Sequence, residues 1–232
     1  MKIFQIKNGY HYNSDTLVLY DFISSFLRPN FSGKVLDVGC GSGILGLLIK
    51  RDFGAISLNL LDILPENLEL SKRNLSENNL EAGLILSDFA KFKSQDRFDL
   101  IISNPPYYHS GVKMSKNPFL AVSRYQEALN LGDFIKVANS HLTPSGELIF
   151  CYESGEISRV LAILSEFKLS CLAIKFVYAR GDKEANLALF RAKKNSRSKP
   201  KILPPLFLKN GSDDSNEAKM IYAKSDTKSE FC

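Results

Sequence analysis

The stretch Val35–Gly46, which reads VLDVGCGSGILG, limits the folds open to this chain more than any other. An apolar run enters three glycines at alternate positions, Gly39, Gly41 and Gly43, and a helix-like segment, Ile44–Arg51, follows at once. Glycines there allow positive φ and let backbone N–H groups come close to a ligand at the start of a helix. Gly41–Gly46 also fits the GxGxxG spacing of dinucleotide sites, although the strand would then have to continue through Asp37 and Gly39. A tight strand-to-helix turn can also serve packing alone, so the meaning of the loop depends on what surrounds it.

Strand-like and helix-like segments alternate on either side. Strands are expected at Lys34–Val38, Ile56–Leu61, Leu84–Leu86, Phe98–Ser103, Leu148–Tyr152, Ala173–Val177 and Leu187–Phe190. Helices are expected at Ile44–Arg51, Pro65–Asn78 (with proline in its first turn), Leu131–Leu142 and Ile157–Phe167, and a turn at Thr143–Gly146. Repeated strand–helix units imply a parallel sheet covered by helices on both faces. Residues 1–32 are aromatic and polar and read as a lead-in. Residues 1–192 are expected to form one domain, and 193–232 a basic, then polar, loosely ordered tail.

The 232 residues, 44% hydrophobic and 24% charged, suffice for a buried core and exclude collagen-like, mucin-like and wholly disordered chains. No apolar run reaches membrane-spanning length, and the first fifteen residues lack a signal-peptide core, so a cytoplasmic, membrane-free protein is expected. The cysteines (Cys40, Cys151, Cys171, Cys232) and histidines (His11, His109, His141) are too scattered for a disulfide framework or a metal site, and no metal is expected. The net charge of +5 is a mild basic bias. It concentrates in Arg191–Lys201, which holds six Lys or Arg and no acid.

Three further positions follow strands. Asp62 stands at the end of the second strand, where a carboxylate accepts hydrogen bonds from ribose hydroxyls. Asp88 follows the third strand, and by itself could be a helix N-cap. Asn104-Pro105-Pro106-Tyr107 follows the fourth. With the glycine loop, this order resembles the class I S-adenosylmethionine (SAM) methyltransferases. The resemblance implies a Rossmann-like α/β fold with a mostly parallel seven-stranded sheet flanked by helices. It places Asp37, Gly39, Gly41 and Gly43 in the methionine pocket, Asp62 on the ribose and Asp88 on the adenine.

The Asn-Pro-Pro-Tyr turn looks like that of the amino-methyltransferases. The exocyclic amine of adenine is a poor nucleophile because its lone pair is delocalised into the ring. The Asn104 side-chain oxygen and the Pro105 carbonyl are two acceptors for its N–H groups. The prolines stiffen the turn, and Tyr107 would stack on a planar target. By this reading Asn104, Pro105 and Tyr107 are catalytic, and Asn104 also borders the cofactor.

Fewer than 35 residues precede the loop and about 40 follow the last strand, so neither the recognition domain of DNA adenine methylases nor the N-terminal helical domain of release-factor methylases is expected. Over residues 3–208 the chain resembles the bacterial tRNA (adenine-N6)-methyltransferases that modify the adenine beside the anticodon of valine tRNA. Tyr12–Leu19 is similar to the family's segment before the SAM domain, which brings Asp15 to the cofactor. Phe176–Tyr178, Lys183–Leu189 and Ile202–Leu206 are similar to its last strands and tail. A Gly211–Ser215 stretch replaces the family's usual Tyr-Thr-Glu. The implied partner is tRNA, met by Tyr107, Arg124, Lys193, Lys194 and Arg197, with the chain acting as a monomer. The alternatives are a protein-(glutamine-N5) methyltransferase, another amino-methyltransferase of rRNA or DNA, and a non-catalytic RNA-binding protein.

Overall fold

A computed structural model of the chain describes residues 1–7, 11–105 and 129–231. The near-continuous apolar runs Lys34–Val38 and Phe98–Ser103 become central strands buried on both faces, as is usual for parallel strands. In chain order the elements to the middle of the chain are β1 (Lys2–Gln5), α1 (Ser14–Ser24), β2 (Lys34–Val38), α2 (Ile44–Asp52), β3 (Ser57–Asp62), α3 (Pro65–Glu77), β4 (Gly83–Leu86) and β5 (Phe98–Ser103). Then come α4 (Leu131–His141), β6 (Leu142–Glu153), α5 (Ile157–Glu166), β7 (Leu169–Tyr178) and β8 (Ala185–Lys194). Seven long strands lie in the order β7-β8-β6-β5-β2-β3-β4, and β8 alone runs antiparallel to its neighbours. Two two-residue strands, β9 (Lys201–Ile202) and β10 (Leu206–Phe207), add to β7, so the expected seven-stranded sheet gains a ragged edge.

Alternation along each strand divides the core in two. Val35, Leu100, Ile102, Ile149 and Cys151 pack under α1 and α2 on one face. Leu36, Val38, Ile101, Leu148 and Phe150 pack under α4 and α5 on the other. The turn expected at Thr143–Gly146 is absorbed into β6 as a register break: Phe98 faces Leu142, but Leu100 faces Glu147. None of the described helices is long and apolar enough to cross a membrane.

The two ends of the chain depart from the sequence expectation. The lead-in contains α1, capped by the Asn13 side chain, which accepts the Asp15 N–H at 3.0 Å. Seven of its residues, from Thr16 to Ile23, are buried. The ladder of β8 runs past residue 192, pairing Lys193 with Glu147 and Ser170. Beyond it the chain is not a loose tail. A small β11–β12 hairpin (Lys209–Asn210 with Asp213–Asp214) leads to α6 (Asn216–Ser225), which lies against α1, and to β13 (Lys228–Phe231). The Arg51 guanidinium donates to the Ser225 carbonyl at 2.6 Å, and Lys224 pairs with Asp21 at 2.8 Å.

β13 pairs in parallel with β1, joining residue 3 to residue 229. Among the described residues, no strand lies beside the other edge of β1. Two asparagines one turn apart, Asn74 on α3 and Asn78 at its C-cap, replace one. Asn78 accepts the Lys2 N–H (3.0 Å) and donates to the Lys2 carbonyl (2.7 Å). Asn74 accepts the Phe4 N–H (2.7 Å) and donates to the carbonyls of Phe4 (3.1 Å) and Ser42 (2.8 Å). Asn74 is fully buried, so its loss leaves three backbone groups unsatisfied. Asn74→Ala is expected to lower stability by about 2–4 kcal/mol. This would appear as a lower urea midpoint at unchanged slope; a variant as stable as the parent would remove Asn74 as the anchor of β1.

Candidate active site

The site forms at the carboxyl ends of β2, β3, β4 and β5, beside the point where the strand order reverses between β2 and β5. The glycine loop leaves β2 there. Gly39 and Cys40 donate to the Leu61 carbonyl at 2.8 and 3.0 Å, which ties the loop to β3. The Gly41 N–H donates to Asp62 Oδ2 at 2.9 Å. Gly41 has φ +55°, and a side chain there would project into open space. That space is the cavity, lined on this side by Asp37, Gly39, Gly41 and Ser42.

Gly43 does not line it. Its φ is +80°, and a Cβ would meet Leu47 and Ser71 at 2.9 and 3.0 Å. The third glycine therefore serves the packing of α2, which corrects its expected place in the methionine pocket.

Asp62 is 5% exposed and holds three groups: Oδ2 takes Gly41, and Oδ1 takes the Leu64 N–H at 3.0 Å and the Asn67 amide at 3.1 Å. Asp88 caps the short 3-10 turn Phe89–Lys91 through the Ala90 N–H at 3.0 Å, and it also lines the cavity. Ser71 donates to the Gly41 carbonyl at 2.9 Å, and the Asn74 amide to Ser42, so α3 holds the loop from beneath. Nothing in the spacing of the glycines reveals these two supports.

Asn104 and Pro105 line the opposite wall. Ser103 donates to the Val38 carbonyl at 2.8 Å, which joins the end of β5 to the start of the glycine loop on β2. Asn104 donates through Nδ2 to Thr16 Oγ1 at 3.1 Å. Thr16 lines the cavity, whereas Asp15, the residue expected there, does not; it sits half-buried in the first turn of α1. The helix turns 100° per residue, so only the inner neighbour faces the pocket. Tyr12 also lines it, and its hydroxyl contacts Thr227 Oγ1 at 3.1 Å and Ser229 Oγ at 2.9 Å.

The expected substrate residues divide. Tyr107 and Arg124, with Pro106 of the same turn, lie outside the described residues. Lys193 and Lys194 sit at the other end of the sheet. β8 runs antiparallel to β6, so its last residues face Glu147, six residues from the carboxyl end of β6 at Glu153, or roughly 20 Å. Lys193 pairs with Glu147 at 3.5 Å, and Lys194 donates to the Asn139 carbonyl at 2.8 Å. Arg197 follows in the link to β9. The basic run is thus removed from the site by the reversal of one strand. Among the described residues, no group of three or more His, Cys, Asp or Glu side chains could hold a metal.

Asp37 is 1% exposed. Burial pushes its carboxyl up to about 7, against the opposing hydrogen bond from the Gly46 N–H (2.9 Å) and with added help from the Asp62 charge. The folded chain therefore binds this proton more tightly than the unfolded one, whose value is 3.8. Between these values the folded state holds more protons, so this group's contribution to stability falls as pH rises from about 4 to about 7 and is level above that. Urea unfolding of the ligand-free protein across that range should show the decline, and Asp37→Asn should flatten it. Parallel pH profiles for the two proteins would contradict the assignment.

Comparison with known proteins gives the kinship. Residues 20–168 match the family described as "Methyltransferase small domain". Ribosomal RNA small subunit methyltransferase C of Pasteurella multocida (strain Pm70) is 41% identical over 128 residues, 55% of this chain and 35% of that protein. Its counterpart from Yersinia enterocolitica is 37% identical over 150 residues, 63% of this chain and 41% of that protein. The chain thus spans less than half the length of these curated relatives. Among solved structures, a predicted O-methyltransferase, protein Atu636 from Agrobacterium tumefaciens, superposes with a TM-score of 0.70 at 16% identity, over 93% of this chain and 99% of that one. The T. Thermophilus 16S rRNA N2 G1207 methyltransferase, in complex with AdoMet and guanosine, gives 0.58 at 21% identity, over 82% of this chain and 45% of that one. Those two likenesses show the fold, and the family match covers most of the chain: it belongs to the methyltransferase small domain family, with the Rossmann-like fold of the class I SAM-dependent methyltransferases.

Proposed function

We propose that the chain transfers the methyl group of SAM to an exocyclic amino nitrogen of a base in RNA, with the N6 of an anticodon-loop adenine in tRNA as its target. The observation that carries this reading is Asn104, a polar side chain at the end of β5 that lines the same cavity as the glycine loop and Asp62. The open space where side chains at Gly39 and Gly41 would project suits a cofactor laid against backbone. Asp62 would hold ribose hydroxyls, Asp88 would border the adenine, and Asp37 with the loop would border the methionine part. SAM brings an electrophilic sulfonium methyl. The protein's part is positioning: Asn104 Oδ1 and the Pro105 carbonyl accept the amine's N–H groups and aim its nitrogen. The amine's proton can leave after transfer, so no general base is required.

A second reading has support of its own. The curated relatives are named for ribosomal RNA, and one solved neighbour is named for guanine N2 of 16S rRNA. Guanine N2 is also an exocyclic amine and needs the same two acceptors. An unpaired loop base of either kind enters such a pocket at little cost compared with a paired one.

Two measurements test the proposal. Asp62→Ala should weaken SAM binding by roughly 1.5–3 kcal/mol, read by calorimetry, because a charge-assisted bond to ribose is lost. Asn104→Ala should lose most methyl transfer while still binding SAM. The assay presents unmodified tRNA, 16S rRNA and purified release factors in parallel, followed by mass spectrometry of nucleosides and peptides. N6-methyladenosine in tRNA is the expected product. N2-methylguanosine in rRNA would favour the second reading, and label confined to a release-factor glutamine would overturn the RNA assignment.

A further inference from the structure

We propose that Cys151 and Thr16 are positioning residues that fix the Asn104 amide with its oxygen turned toward the methyl acceptor; this rests on the reading of Asn104 given above. An asparagine side chain has two orientations of almost equal shape, related by exchanging its oxygen and its NH2 group. Only one of them offers an acceptor to an amine. In the other, the NH2 group faces the amine's own N–H groups, and nothing draws the nucleophile into place.

The wall around Asn104 distinguishes the two. The Cys151 thiol, on β6, donates to Asn104 Oδ1 at 3.0 Å. Thr16, on α1, accepts from Nδ2 at 3.1 Å. The contacts reach 47 and 88 residues along the chain, so three separate elements meet at one amide. Cys151 is fully buried and Thr16 is 3% exposed. A hydroxyl donates and accepts equally well, so Thr16 by itself would tolerate either orientation. Sulfur is a weak acceptor, so rotating the amide would exchange an S–H···O bond for a poor N–H···S contact. Burial raises the thiol well above its ordinary range, and the nearby Asp15 charge acts in the same direction, so the sulfur keeps its proton at neutral pH.

A carboxamide oxygen has two lone pairs, so the thiol's single bond to Oδ1 leaves it the capacity to accept a second donor. Cys151 is not among the residues lining the cavity. It acts through Asn104 alone, without touching cofactor or base. Orientation fixed before the substrate arrives saves reorganisation during the reaction.

The test compares Cys151→Ala, Cys151→Ser and Thr16→Val with the parent in methyl transfer to RNA, with SAM affinity and thermal midpoint measured beside the kinetics. Cys151→Ala is expected to lower kcat by about three- to tenfold, the worth of one neutral hydrogen bond, with KM for RNA and SAM affinity nearly unchanged. Cys151→Ser, which restores a donor, should recover most of kcat even if the buried hydroxyl lowers the midpoint. Thr16→Val should also lower kcat. Parental kcat in Cys151→Ala, or Cys151→Ser no better than Cys151→Ala, would overturn the inference. Asn104→Ala is measured in the same series. If it is inactive while Cys151→Ala is normal, only the positioning role falls; if it is active, the reading of Asn104 falls as well.

Discussion

The bond between Asp62 and the Gly41 N–H, 2.9 Å long, organises the site. The glycine loop would otherwise be a mobile turn, since glycines lose more backbone freedom on ordering than any other residue. The carboxylate at the tip of β3 fixes the middle of the loop, and through Leu64 and Asn67 it fixes the entry to α3. That helix in turn carries Ser71 and Asn74, with Asn78 at its C-cap, and these hold the loop from below and hold β1 at its side. One buried carboxylate thus links two strands, the loop and a helix. Asp37 nearby cannot be charged as readily, because burial and its neighbour's charge both oppose a second anion.

Much of this fold can be read from the chain because parallel strands advertise themselves. KVLDV and FDLIIS are buried on both faces, and their apolar runs have few other uses. Asn104 was legible for a related reason: a polar residue held before two prolines at the end of such a strand has little to do in a core. α1 was not legible, because burial around most of its circumference leaves no clear apolar stripe to find. The C-terminal elements were hidden differently. They bury few apolar side chains, chiefly Leu206, Ala218 and Ile221, and are otherwise held by backbone pairing and ion pairs such as Lys224 on Asp21, which hydropathy does not record.

Lys193 and Lys194 show what local charge density cannot say. Their number suggested a phosphate-binding surface, but position along a strand has meaning only once its direction is known. A single antiparallel strand in a parallel sheet sends its last residues to the end opposite the site. The pairing of Asn104 with Thr16 and Cys151 was out of reach for a comparable reason. Each contact joins residues dozens of positions apart, and no local pattern marks them.

The pairing of β1 with β13 has a bearing on synthesis. Tyr12 faces the cavity but is held by Thr227 and Ser229, more than two hundred residues later. A chain emerging from the ribosome can form β2, α2 and β3 early, because their contacts are close in sequence. The rim over the cavity has to wait until residue 229 is free to meet residue 3. A nascent or prematurely ended polypeptide would therefore carry the glycine loop and both carboxylates with one wall of the cavity unfastened, so competence would arrive late and all at once.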